Sequence, residues 1–359
     1  MDILASTKSY EFWLGQRTRL VAADLRLKHQ FMAAAVFPFL RATFYRWLQC
    51  WHEVCPRAAE APRVLAVGDL HVENFGTWRD LEGRLIWGIN DFDEVSHMPY
   101  TIDLVRLTTS ALFAADGEHL ALKPRVIAEC IEEGYRESLA GGGRPFVLSE
   151  RQGWLRRVAL QLVVEGPAFW EKLRACPAVN PKIVPAEARA AIERAMPERG
   201  LRYGYARRGA GLGSRGHQRY VCVVDWRGGF IAREAKALVP SAAVWLRHHS
   251  RTGPILYAQV LRTSVRVPDP HFHVQGHWIV RRLSPSCKKI NIAELPERRN
   301  EERLLYAMGA ETANVHLGSP SACGSVRRDL ARRRAGWLLD AARDMVKFVR
   351  RDWKDWRKG

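Results

Sequence analysis

Residues 67–76 read V-G-D-L-H-V-E-N-F-G, residues 84–89 R-L-I-W-G-I, residues 90–94 N-D-F-D-E and residues 102–106 I-D-L-V-R. Asp69 is followed five positions later by Asn74, and a short apolar strand then leads to an acidic turn at Asp91 and Asp93. Phosphoryl transfer gives this order a physical reason. One carboxylate receives or orients the proton of an attacking hydroxyl, while an amide and a second carboxylate hold the magnesium that neutralises nucleotide phosphates. A hairpin brings the three together, with Asp69 and Asn74 on its loop and Asp91 at the end of the returning strand. The plainer reading makes Asp and Asn ordinary turn formers between strands. The ordered series, ending in Asp-Leu before an apolar helix, is more specific than that reading requires.

The series resembles the catalytic and metal loops of the aminoglycoside and choline phosphotransferase branch of the protein-kinase-like superfamily. The resemblance implies Asp69 as general base or hydroxyl-orienting group, with His71 and Asn74 completing the candidate catalytic set. It also implies Asn74 and Asp91 as magnesium ligands, Asp93 as a second acidic ligand, and a structural, loop-bracing role for Asp103.

A chain of 359 residues can bury a large core, and two lobes are the ordinary expectation. Its net charge of +18 suggests an anionic partner without choosing among nucleotide, nucleic acid and membrane surface. Arginine outnumbers lysine, which coding bias alone can produce. Seven scattered cysteines without a C-x-x-C pair exclude a complete disulfide framework and zinc spacing. The N-terminal residues lack a signal pattern, and the apolar run 31–40 contains Pro38 and is too short to span a bilayer. A cytoplasmic location is the expectation.

Residues 8–50 read as two helices, the second started or kinked by Pro38, and 55–63 as a connector. Helices are expected over 100–115, 123–139, 149–164 and 185–195, with Gly141–Gly143 as a stop signal.

The second informative region is R-R-G-A-G-L-G-S-R-G at 207–216, where Gly211, Gly213 and Gly216 form a G-x-G-x-x-G. In a dinucleotide fold this motif opens a helix. Here it runs into Tyr220–Val224, a turn at Arg227–Gly229, and F-I-A-R-E-A-K ending at Lys236. Strand, glycine loop, strand, turn and strand with lysine is the nucleotide-covering hairpin of a kinase small lobe. Glycines let backbone amides reach phosphate oxygens, and the lysine adds a point charge. A structural Gly-rich hairpin with a surface lysine is the alternative. A short helix near 241–249, strands over 255–267 and 273–283, and a long helix over 297–317 follow. The glycine loop therefore comes after the catalytic loop, as a circular permutation would place it.

Across nearly its whole length the chain resembles the bacterial family called domain of unknown function 2252, grouped with the kinase-like superfamily. The matching stretches are 28–41 (K-H-Q-F-M-A-A-A-V-F-P-F-L-R), 68–76, 89–94, 102–107, the G-L-G-S-R-G loop with K-A-L-V-P-S, and V-R-R-L-S-P at 280–285. Members often carry Glu directly after the lysine, where this chain has Ala237, and residues 237–268 contain no Asp or Glu. Glu234, two residues back on the same strand face, is only a weak substitute as acidic partner of Lys236, which puts the usual lysine–glutamate pair, and with it full kinase competence, in doubt.

The terminal segment 325–359 reads as one basic helix around an apolar stripe, packed with a solvated basic face. His271, His273 and His277 share a strand face, and no carboxylates or cysteines accompany them to favour a metal.

The expected fold is α+β, a two-lobed, protein-kinase-like fold that is circularly permuted. Residues 1–200 hold the catalytic loops and helical large-lobe elements, 201–290 the β-rich nucleotide-binding lobe, and 291–359 helices returning to the large lobe. The expected function is ATP- and Mg²⁺-dependent phosphoryl transfer to a hydroxyl of an unidentified small-molecule acceptor. Gly211, Gly213, Gly216 and Lys236 bind the nucleotide. A nucleotide-binding module without turnover, and a basic nucleic-acid or membrane-surface binder, are the alternatives.

Overall fold

The short strands around the acidic motifs are mostly buried, the most apolar being Leu85–Ile89, and they fold as two antiparallel pairs. In the computed structural model, β1 (Arg63–Ala66) and β4 (Ser96–Pro99) pair with each other, as do β2 (Phe75–Arg79) and β3 (Leu85–Ile89). A fifth strand, β5 (Phe146–Val147), extends the second pair. The structure describes residues 1–117, 120–148, 152–161, 166–209, 211, 213, 215–248, 253–287 and 300–359.

The helix Thr101–Asp116 is buried on every side from Thr101 to Ala114, its apolar residues interspersed with buried polar ones that include Asp103, Arg106 and Ser110. Helices Pro124–Ala140 and Glu301–His316 pack together so closely that a Cβ on Gly134 would overlap the carbonyl of Tyr306. One on Gly309 would overlap that of Ile131. The expected long helix thus spans 301–316, its first residues (297–299) lying outside the described ones.

The larger sheet holds β6 (Ala178–Val179), β7 (Tyr205–Arg207), β8 (Arg219–Trp226), β9 (Gly229–Ala237), β10 (His273–Gln275) and β11 (Trp278–Leu283). Its order is β10-β11-β9-β8-β7-β6, all antiparallel. The β8–β9 turn puts Arg227 and Gly228 at φ 51° and 82°, the two positive φ values of a tight hairpin turn. One face of this sheet packs its Tyr220, Cys222, Val224, Trp278 and Val280 against Ala188 and Ile192 of helix Ala186–Arg194. The other face covers Val221, Ala232 and Leu283 with Leu173. The architecture is mixed α+β with several small sheets.

Four expectations change. Residues 8–50 form not two helices but four: Ile3–Gly15, Ala22–Ala34, Val36–Ala42 and Phe44–Val54. The first two are separated by residues 16–21, and the other breaks fall at Ala35, which is extended, and at Thr43, whose hydroxyl donates back to the Phe39 carbonyl at 2.7 Å. Residues 255–267 contain the helix Tyr257–Thr263 instead of a strand, with Tyr257 and Val260 buried one turn apart. The strand over 273–283 is split into β10 and β11 at Gly276, φ 55°. The terminal segment is two helices, Pro320–Arg332 and Trp337–Trp356, divided before Gly336 at φ 77°. The last helix lies across Thr101–Asp116 and binds the N-terminal layer through Arg46 Nε and Asp352, 2.7 Å apart. Among the described residues no helix is long and apolar enough to cross a membrane.

Candidate active site

The loop between β1 and β2 is held from behind by Asp103. Its buried carboxylate accepts the Val67 and Gly68 amides at 2.7 and 2.8 Å, and His316 Nε2 lies 2.8 Å away. Gly68 sits at φ 88°, with the Glu94 carbonyl where a Cβ would go. The backbone then turns Asp69 toward the interior of a cleft.

Asp69 meets a residue the motif reading did not single out. Arg106, one turn beyond Asp103, donates Nε to Asp69 Oδ1 at 2.9 Å and pairs with the same oxygen through Nη2. That guanidinium is fully buried, lies 5.0 and 4.8 Å from the ring centroids of Phe44 and Trp47, and also donates to the Leu40 carbonyl. A charged residue inside an apolar helix, three positions after Asp103, was the available signal. Burial pushes the Asp69 carboxyl up, against the pull of Arg106. Its Oδ2 is left facing the cleft and accepts no hydrogen bond among the described residues.

Asn74 and His71 knit the loop. Asn74 Oδ1 accepts the His71 amide at 2.7 Å, and the Asn74 carbonyl accepts the Asn90 amide at 3.0 Å, tying this loop to the acidic turn. The His71 ring is buried edge-on against Phe37, and its Nδ1 accepts the Glu73 amide at 3.2 Å.

Strand β3 delivers Asp91 and Asp93, and it is braced by Glu311 from helix Glu301–His316. Glu311 Oε1 accepts the Ile89 amide at 3.2 Å and Oε2 accepts Asn314 Nδ2 at 2.8 Å. Burial pushes the Glu311 carboxyl up to about 7, opposed in part by Arg266. Because this folded-state value lies above the ordinary 4.5, the stabilisation is complete below the ordinary value and lost as pH rises through about 7. Glu311→Gln, which cannot ionise, is expected to gain on wild type in urea midpoint between about pH 5 and pH 8. A difference that stays constant over that range contradicts the assignment.

Lys236, near the end of β9, reaches the acidic turn. Its Nζ is 3.6 Å from Asp91 Oδ1 and forms a shorter ion pair with Asp93 Oδ2. Burial and then repulsion from Asp91 push the Asp93 carboxyl up, against Lys236. Glu234 is not the partner of Lys236. It is fully buried and meets Arg208 at 2.5 Å, Arg219 at 3.2 Å and Arg281 at 2.8 Å. Register explains the exchange: Val221 of β8 and Arg281 of β11 lie directly across from Glu234, so flanking arginines on both strands reach it first. Burial works against its charge, yet Arg219, Arg281 and Arg208 hold this carboxyl well below the usual range.

Gly211 and Gly213 of the glycine loop border the cleft. A Cβ on Gly213 would stand 3.3 Å from Asp69 Oδ2, and Gly211 lines the cavities on both sides. Gly216, at φ 103°, packs on Leu25, and its carbonyl accepts the Val21 amide at 3.0 Å. Residues 210, 212 and 214 of this loop lie outside the described ones.

Two cavities meet here. The larger, about 260 Å³, is bounded by Asn90, Asp91, Lys236, Tyr257, Phe272 and several arginines. The smaller, about 60 Å³, is bounded by Asp69, His71, Asn74, Asp93, Glu94 and the buried Lys28. Asp91, Arg41 and Gly211 border both. Burial pushes the Glu94 carboxyl up to about 7, while the Ala242 amide and Ser241 hydroxyl pull it down. Lys28 and Arg41 begin and end the quoted segment 28–41, but helical spacing alone did not reveal that both turn toward the cleft.

Asn74, Asp91 and Asp93 could together offer a hard cation one amide and two carboxylates. Asp93 Oδ1 is buried and accepts no hydrogen bond among the described residues, which suits an oxygen-seeking ion. Among those residues no group of three or more His, Cys, Asp or Glu could hold a metal by itself. Magnesium does not require one, since it is commonly held by one or two carboxylates with water and substrate phosphate. The donor set fits.

A search of curated proteins found no match, and neither did a search of solved structures. Residues 19–163, which carry the Asp69 loop and the acidic turn, match a family model described as an uncharacterized protein conserved in bacteria (DUF2252), and the match supports that family for this part of the chain.

Proposed function

We propose that this chain is an ATP- and magnesium-dependent phosphotransferase acting on a hydroxyl of a small molecule, built as a circularly permuted, two-lobed kinase-like fold. In this reading the β6–β11 sheet is the nucleotide-covering lobe, and the helices around Thr101–Asp116 form the larger one. The observation that carries the proposal is convergence. Lys236 lies between Asp91 and Asp93, while Gly213, from the loop preceding that lysine, covers Asp69. A surface lysine on a structural hairpin has no reason to meet these residues.

Each residue then has a task. Asp69, its Oδ1 held by Arg106, orients the acceptor hydroxyl and takes its proton on Oδ2. Lys236 exchanges its carboxylate contacts for phosphate oxygens of the nucleotide. The glycine loop excludes water and lets backbone amides approach the phosphates. Magnesium, held by Asn74, Asp91 and Asp93, would neutralise phosphate charge when bound.

Nucleotide titrated into the full chain with and without magnesium tests this. Asp91→Ala is expected to weaken magnesium-dependent ATP binding by about tenfold or more. Equal affinity in wild type and variant refutes the metal assignment. One observation favours a second reading, a nucleotide-binding module without turnover. Among the described residues Lys236 has no carboxylate besides those of the acidic turn. That module would bind ATP and consume none.

A further inference from the structure

The mechanism leaves unused the most strongly charged wall of the larger cavity. Arg208 follows β7, Arg219 begins β8 and Arg281 lies on β11, and all three converge on Glu234. One buried carboxylate cannot by itself neutralise three guanidinium groups; Asp91 also acts on Arg281, and with Arg41 and Lys236 on the same wall the lining of the cavity stays predominantly basic. Arg208 and Arg281 are 34% and 30% exposed, and both border that cavity with Arg219. Glu234 uses only part of their donor capacity, since each guanidinium carries five N–H groups. It also fixes their positions in advance, which lowers the ordering cost when a ligand arrives.

We propose that Arg208, Arg219 and Arg281, organised by Glu234, form a phosphate subsite distinct from the Lys236 position. Asp69 borders only the smaller cavity and the three arginines only the larger, so the subsite and the Asp69 end of the cleft lie on either side of Asp91, which borders both. An uncharged base does not need such a wall, whereas a phosphate matches guanidinium geometry and charge. Resting on the phosphotransfer reading, the inference specifies the donor: it carries negative charge at both ends of the cleft. An oligophosphate chain and a nucleotide with an additional phosphate on its ribose share that chemistry.

The test is calorimetric binding to the full-length chain, without magnesium and at fixed ionic strength. The probes are inorganic tripolyphosphate, adenosine 3′,5′-bisphosphate and adenosine. Wild type is expected to bind at least one of the two phosphate probes. Arg208→Gln and Arg281→Gln should each weaken that binding by about tenfold or more. Tripolyphosphate binding alone identifies the oligophosphate source, and preference for the bisphosphate identifies the ribose phosphate. Arg328→Gln, an exposed arginine on a distant helix, should change nothing and so controls for the general positive charge. Arg208→Gln leaves Glu234 two partners, and thermal melting verifies that both variants are folded. The proposal is overturned if neither phosphate probe binds, if the variants bind as wild type does, if Arg328→Gln loses as much, or if adenosine shows the same dependence on Arg208. Arg208-dependent tripolyphosphate binding in a protein that turns over no nucleotide would sustain the subsite and retire ATP as the phosphoryl donor.

Discussion

Asp69→Asn is expected to lower turnover by about 10²–10⁴-fold while leaving ATP affinity within a few-fold of wild type. The substitution preserves shape and keeps an oxygen for Arg106, so the loop is expected to hold its course. What it removes is the proton acceptor. The atom facing the cleft becomes either an amide nitrogen, which cannot take a proton, or a weakly basic carbonyl. The expected separation of turnover from binding matters more than the loss itself. A collapsed site would lose both, and a module that never transfers phosphate would show no turnover to lose. A second readout follows from Arg106. Its buried guanidinium would face a neutral amide in place of a carboxylate, so the melting temperature should also fall. Turnover that persists in a folded Asp69→Asn protein would eliminate Asp69 as the base.

The residues around positions 69 and 91 were legible because their chemistry is compressed into two loops on one short hairpin. Strand alternation and turn residues sufficed to bring Asp69, Asn74 and Asp91 together on paper, and β2 pairs with β3 accordingly. Glu234 shows where such reading stops. A carboxylate two positions from a lysine shares its strand face, which favours a pair. The actual partners depend on which residues of β8 and β11 stand opposite: the turn at Arg227–Gly228 fixes β8 against β9, but β11 reaches β9 only through the long connection 238–277, which has no local signature. Arg106 was missed for a different reason. Helical periodicity identifies a buried face, but Thr101–Asp116 is buried all round, so no face stood out. The N-terminal helices read as core, and most of their aromatics are. That Leu25 and Val21 meet Gly216 is a tertiary fact without a local signature.

Asp103→Ala is expected to have the largest effect on stability, about 3–5 kcal/mol in urea denaturation. The carboxylate is completely buried and faces three donors: the Val67 and Gly68 amides and His316 Nε2. Alanine leaves all three without an acceptor in a space too small for easy solvation, and each orphaned donor costs about 1–3 kcal/mol. The losses will not simply add, because His316 also contacts the Tyr135 hydroxyl at 2.9 Å and can retain that bond. Asp103→Asn should fall between wild type and alanine, since its carbonyl can accept one amide while its NH₂ opposes the other donors. The functional consequence goes through geometry. Val67 and Gly68 set the path of the backbone into Asp69, so releasing them should lower kcat even at temperatures where the variant remains folded. A loss below about 1 kcal/mol would mean that strand pairing of β1 with β4 alone holds this loop, and Asp103 would then be a bystander.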